Sequence, residues 1–223
     1  MEEDKIVLIC ATGRSGSTTL QRILNTIPNA NICGENGGAI NSLLDFYKKI
    51  KSATENNIPG KTTPFTYNYI VKKNIKPSWY NSYNFEQVKQ MVRIMIMNIF
   101  KLNPTTNIWG FKEIRYDSNK INYIYLFKEL FPQTKIIIQV RENIKAQSGS
   151  GWFQKDKNAL NFLYKTNQEL YNFYQANRAY CFYTTFERMF DRPNLKHMFA
   201  FIGCQEHYNE EKITEVLNNN IKD

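Results

Sequence analysis

The stretch "KIVLICATGRSGSTTL", residues 5–20, joins an unbroken apolar run to a turn rich in Gly, Ser and Thr, and then to the start of a helical pattern. Strand, tight turn and helix N-terminus in that order make an anion site, because unpaired backbone N–H groups and the helix dipole both point at the turn. The pattern falls short of a nucleoside-triphosphate loop, GxxxxGK[ST]. With Gly16 as the second glycine, Ala11 stands at the first, Ser17 at the lysine and Thr18 at the hydroxyl. The cation sits instead at Arg14, while Ser15, Ser17, Thr18 and Thr19 supply hydroxyls. The expected ligand is therefore anionic but not a magnesium-bound triphosphate. None of the strands expected from the sequence ends in an acidic residue that would position magnesium, and the strand expected at 135–140 runs into Arg141.

Working outward, strand and helix signals alternate, which predicts an α/β fold with a central parallel sheet of about five strands between helical layers. The strands are expected at 5–10, 30–33, 107–112, 135–140 and 180–184; the fourth, KIIIQV, is apolar enough to be covered on both faces. Asn84 and Gln87 have the spacing of a capping box. Beyond them Phe85, Val88, Val92, Met95, Ile99 and Leu102 recur at helical spacing, and "MVRIMIMNIF" reads as core packing. Leu160, Leu163, Leu170 and Tyr174 mark another buried helical face. The segment at about 53–84 is rich in Pro and aromatic residues and reads as an irregular insertion in a single domain spanning 1–223.

The chain has 223 residues, 42% of them hydrophobic, enough for a substantial core. Lys and Arg number 29 against 20 acidic residues, a net charge of +9 that favours a polyanionic partner. No apolar run is long enough to span a membrane, and the acidic start is unlike a signal peptide, so a soluble, cytoplasmic protein is expected. Cys10, Cys33, Cys181 and Cys204 have neither zinc spacing nor an evident disulfide framework, which fits a reducing compartment.

"RSGSTTL" after an apolar strand resembles the 5′-phosphosulfate loop of sulfotransferases that use 3′-phosphoadenosine-5′-phosphosulfate (PAPS) and release the bisphosphate PAP. The likeness continues through "NICGENGGAINSLLDFYKK", similar to the glutamate segment of tyrosylprotein sulfotransferases. "WGFKEIRY", "LFPQTKIIIQVRENIKAQSGS" and "CFYTTFERMFDRPN" follow in family order. The resemblance implies a P-loop fold in which Arg14 through Thr19, Gly16 included, bind the 5′-phosphosulfate. It implies that Arg141, with a serine on the following helix, binds the 3′-phosphate. In the family that serine commonly lies eight residues on, where this chain has Gly149; Ser150 takes the role through a one-residue insertion, with Ser148 as the alternative. Glu35 is the implied base for the acceptor hydroxyl, and the two histidines, His197 and His207, lie away from every motif. Lys112, with Arg14, would stabilise charge on the bridging oxygen. Glu113 pairs with Arg115 or Lys112 as a structural ion pair, or shares in the site.

No metal is expected, since fixed cations suffice for a sulfuryl group. The acceptor stays open among a tyrosyl peptide, a carbohydrate and a small alcohol or phenol. Three other classes compete: a P-loop nucleotide or small-molecule kinase, a non-catalytic nucleotide- or polyanion-binding module, and a nucleic-acid binder.

Overall fold

The computed structural model describes residues 4–54, 83–117 and 119–219. One compact unit is drawn from Met1–Gly38 and Asn98–Asp223, and a second from Ala39–Met97. Nearly all of the expected insertion at 53–84 lies outside the described residues.

The first unit is built on five parallel strands: β1 (Lys5–Ala11), β2 (Ala30–Cys33), β3 (Ile108–Glu113), β4 (Lys135–Val140) and β5 (Cys181–Thr185). They lie in the order β2-β3-β1-β4-β5. The strand carrying the glycine-rich turn is thus central, and the carboxyl ends of all five strands share one edge of the sheet. In open α/β sheets ligands bind in the crevice at that edge.

Alternation along β1 sends Val7, Ile9 and Ala11 to one face and Ile6, Leu8 and Cys10 to the other, and all six are buried. The first face packs on α1 (Ser17–Leu24) and on two C-terminal helices, Arg192–Phe201 and Glu210–Asn218, through Leu20, Ile23, Phe199 and Ile213. An aromatic layer belongs to the other face. Phe100 stacks on Phe111 at 4.9 Å, Phe127 meets Phe111 edge-on at 5.5 Å, and Phe131 meets Trp109 edge-on at 5.4 Å. The fold is three-layer α/β/α, as expected, and Ile136, Ile137 and Ile138 are fully buried.

In the second unit the helix Ala39–Ala53 buries Ile40, Leu44 and Tyr47, and Tyr47 stacks on Phe85 at 5.4 Å. Phe85 opens the helix Phe85–Phe100, where Asn84 Oδ1 accepts the Gln87 N–H at 3.2 Å, as the capping pattern anticipates. The reading of "MVRIMIMNIF" as core needs correction. Val92, Ile96 and Phe100 are buried at four-residue spacing, but Met91, Ile94, Met95 and Ile99 are 47–63% exposed. The helix is apolar on more than one side, so periodicity could identify it without choosing its buried stripe. Leu160, expected inside, is likewise exposed, while Leu163, Leu170 and Phe173 are buried.

Candidate active site

The turn after β1 is shaped before any ligand arrives. Gly16 caps α1 at φ +76°, a left-handed conformation that glycine adopts without strain, and a Cβ there would collide with Phe186 and approach Met189 Cε to 2.7 Å. Arg14 is also left-handed, at φ +60°, which costs energy for a residue with a Cβ. Two buried amides hold the loop's carbonyls: Gln147 Nε2 donates to Gly13 at 2.6 Å, and Gln139 Nε2 donates to Ser15 at 2.9 Å. The first α1 bond runs from the Leu20 N–H to the Gly16 carbonyl. The N–H groups of Ser17, Thr18 and Thr19 therefore have no carbonyl of their own helix to meet.

A cavity of about 370 Å³ lies over this turn at the carboxyl ends of the strands. Among the residues expected to act, Arg14, Gly16, Ser17, Thr18 and Thr19 line it from the loop. Glu35 after β2, Lys112 in β3, Arg141 after β4 and Ser150 join them on its wall. Two candidates lie off the wall. Ser15 is fully buried, with its hydroxyl donating to the Thr12 carbonyl at 2.7 Å. Ser148 donates to the Lys145 carbonyl at 3.0 Å.

Within the cavity wall, Arg14 Nε donates to Ser150 Oγ at 3.0 Å. The Arg141 guanidinium lies over the Phe186 ring at 4.7 Å, and its Nε is buried with no hydrogen-bond partner among the described residues. A buried guanidinium N–H left in that state is costly unless an anion meets it. Lys112 Nζ lies 2.6 Å from Glu35 Oε1, and Arg115 Nη2 lies 3.1 Å from Glu35 Oε2. Arg115 also reaches Glu113 Oε1 at 2.8 Å, so Glu113 pairs with Arg115 and not with Lys112. Glu113 is fully buried, and its Oε1 also accepts the N–H groups of Ile114 and Arg115.

Beside Arg141, Glu187 accepts the N–H groups of Glu142 at 3.0 Å and Asn143 at 3.3 Å. Burial raises the Glu187 carboxyl, but those backbone donors and Arg141 together outweigh it and hold the group below its ordinary value.

Sequence reasoning overlooked Arg115, Trp152 and Phe186 as parts of the site, and Gln139 and Gln147 as its supports. A Gln inside the doubly covered strand KIIIQV was the readable signal, since a buried amide must find partners. Nothing in the sequence spacing marks Trp152 or Phe186 as cavity wall.

A model of the sulfotransferase family matches residues 7–193, and the chain belongs to that family. The match is at the level of the family, not of its tyrosylprotein branch. No curated protein sequence matches. Among solved structures, the chain is similar to the sulfotransferase domain from the curacin biosynthetic pathway, with 15% identity and a TM-score of 0.51 over 99% of this chain and 80% of that one. A sulfotransferase from Alicyclobacillus acidocaldarius gives 13% identity and a TM-score of 0.48 over 97% and 90%. Mouse sulfotransferase SULT7A1, solved with PAP, gives 16% identity and 0.45 over 97% and 63%.

Proposed function

We propose that this protein transfers a sulfuryl group from PAPS to an acceptor hydroxyl. The observation that carries the reading is the meeting, on one cavity wall, of two arginines, an uncapped helix N-terminus and a Lys112–Glu35 pair. The residues fit the donor chemically. Arg14, the N–H groups of Ser17, Thr18 and Thr19, and their hydroxyls suit the 5′-phosphosulfate end. Arg141, whose Nε has no hydrogen-bond partner among the described residues, suits the 3′-phosphate, and of the two candidate serines Ser150, which lines the same cavity, is preferred to Ser148, which does not.

PAPS supplies the group transferred: the sulfur–oxygen bond to the 5′-phosphate breaks with its electron pair left on PAP as the acceptor oxygen bonds sulfur. Glu35 takes the acceptor's proton on a carboxylate oxygen. Lys112 keeps one ammonium N–H on Glu35 and has two more to place against developing charge on the bridging oxygen. Arg115 holds the second Glu35 oxygen, which limits the rotations open to the carboxylate.

Titration calorimetry tests the donor site. PAP should bind without magnesium and more tightly than AMP, which lacks the 3′-phosphate. Arg141→Ala should weaken PAP at least tenfold while leaving AMP little changed, since a charge-assisted contact to phosphate is worth about 1.5–3 kcal/mol. Tight binding of ATP with magnesium and indifference to PAP would overturn the reading.

A further inference from the structure

A second cavity, of about 450 Å³, shares Gly13, Glu35, Ile114 and Trp152 with the first. Resting on the reading of the first cavity as a PAPS site, we infer that the second is the acceptor site and takes an uncharged aromatic alcohol of the phenol or naphthol kind.

One part of the cavity wall is aromatic, and Glu35, Arg115, Asp117 and Lys120 make a charged part. Trp152 and Phe162 line it while 58% and 43% exposed, and Phe153 links them at ring distances of 5.5 and 6.4 Å. Large rings left open to water beside a catalytic carboxylate are poised to cover another flat apolar surface, and offset ring contacts add to the area they bury. The Trp152 ring is held close to the loop, since a Cβ on Gly13 would come within 2.6 Å of its Cζ2.

The charges of the cavity are already matched. Arg115 is engaged by both Glu35 and Glu113. Lys120 lies 3.4 Å from Asp117. Among the described lining residues, every cation has a carboxylate partner, so an acidic peptide or sulfated polysaccharide would have to break these pairs to be held. It would also meet Glu35 and Asp117 as like charges. The excess positive charge of the chain is thus not concentrated here. A neutral ring needs no such exchange. Its hydroxyl, with a pKa of about 10, yields a proton to Glu35 more readily than a sugar hydroxyl does.

The probe is 2-naphthol, titrated calorimetrically into the protein saturated with PAP, beside a Glu-flanked tyrosyl peptide and heparan sulfate. Naphthol should bind, and Phe162→Ala should weaken it at least tenfold while leaving PAP affinity unchanged, which also reports that the variant is folded. With PAPS present, labelled sulfate should pass to naphthol with a kcat/KM at least tenfold above that for the peptide. Tighter binding of the peptide or polysaccharide, no naphthol binding to a protein that does bind PAP, or unaltered naphthol affinity in Phe162→Ala would each overturn the acceptor assignment and leave the donor reading standing. Failure to bind PAP at all would sink the donor reading instead.

Discussion

At the scale of single residues, Glu35 is the base of the proposed reaction. Its two oxygens are held by different cations, Lys112 at 2.6 Å and Arg115 at 3.1 Å, and it borders both cavities. Replacing it with Gln keeps the shape and removes the proton acceptor. Turnover of Glu35→Gln should fall about 10²–10⁴-fold, the usual span for a general base, whereas PAP affinity should hold or rise slightly as a negative charge leaves the wall. Steady-state rates beside PAP titrations separate the two effects, and normal transfer by this variant would remove Glu35 from the mechanism. Arg115 shows why some of the site was hidden from sequence reading. It stands in the quoted block "WGFKEIRY", but its double engagement depends on Glu35, eighty residues earlier in the chain, arriving beside it.

At the scale of elements, the connection after β4 depends on Glu187, from the turn after β5. Its carboxylate ties down the N–H groups next to Arg141 and is held below its ordinary value. A carboxyl depressed by folding stabilises the fold above its unfolded pKa, and that contribution fades as pH falls through the folded value. Glu187→Gln should therefore be less stable than the parent at pH 7, by about 0.5–1 kcal/mol, since the amide keeps one acceptor oxygen and solvent screens the lost charge. The gap should close as pH drops below the carboxylate range, about 4. Urea melts at several pH values check this; a gap independent of pH would argue against the charge as its cause.

The elements themselves were largely readable. All five strands fall within a residue or so of expectation, because parallel strands covered on both sides leave continuous apolar runs. Asn84 announced its helix, since capping is a local interaction. The buried side of that helix was misjudged because Met91, Met95 and Ile99 are as apolar as Val92 and Ile96, and only tertiary packing selects between them. Within the candidate site, the glycine-rich turn was legible from local order in the chain, whereas Glu35, Lys112 and Arg141 were singled out with the help of the family resemblance, and all of them line one cavity. Ser15 looked like any other hydroxyl of the turn until its bond back to Thr12 took it under the loop.

At the scale of the whole molecule, the cysteines report on the sheet. Cys10, Cys181 and Cys204 are buried, and burial pushes the Cys181 thiol up to about 12 and the Cys10 thiol well above its ordinary value. Cys33, at the end of the edge strand β2, is only partly covered, though burial raises its thiol too. Iodoacetamide at pH 8 should thus modify Cys33 first in the folded protein and all four after denaturation, as read by intact mass. Early modification of Cys10 would mean that the central strand opens far more readily than its packing implies.

Because the five strands run the same way, the candidate site gathers along one rim, and the turns that feed the strands stand along the other. The turn at Asn103–Thr106, braced by Asn103 Oδ1 taking the N–H groups of Thr105 and Thr106 at 3.0 Å, is one of these. Such far-side turns offer places to attach a fluorophore, a surface tether or a fused reporter, so that the protein can be immobilised with its working edge turned toward the solution.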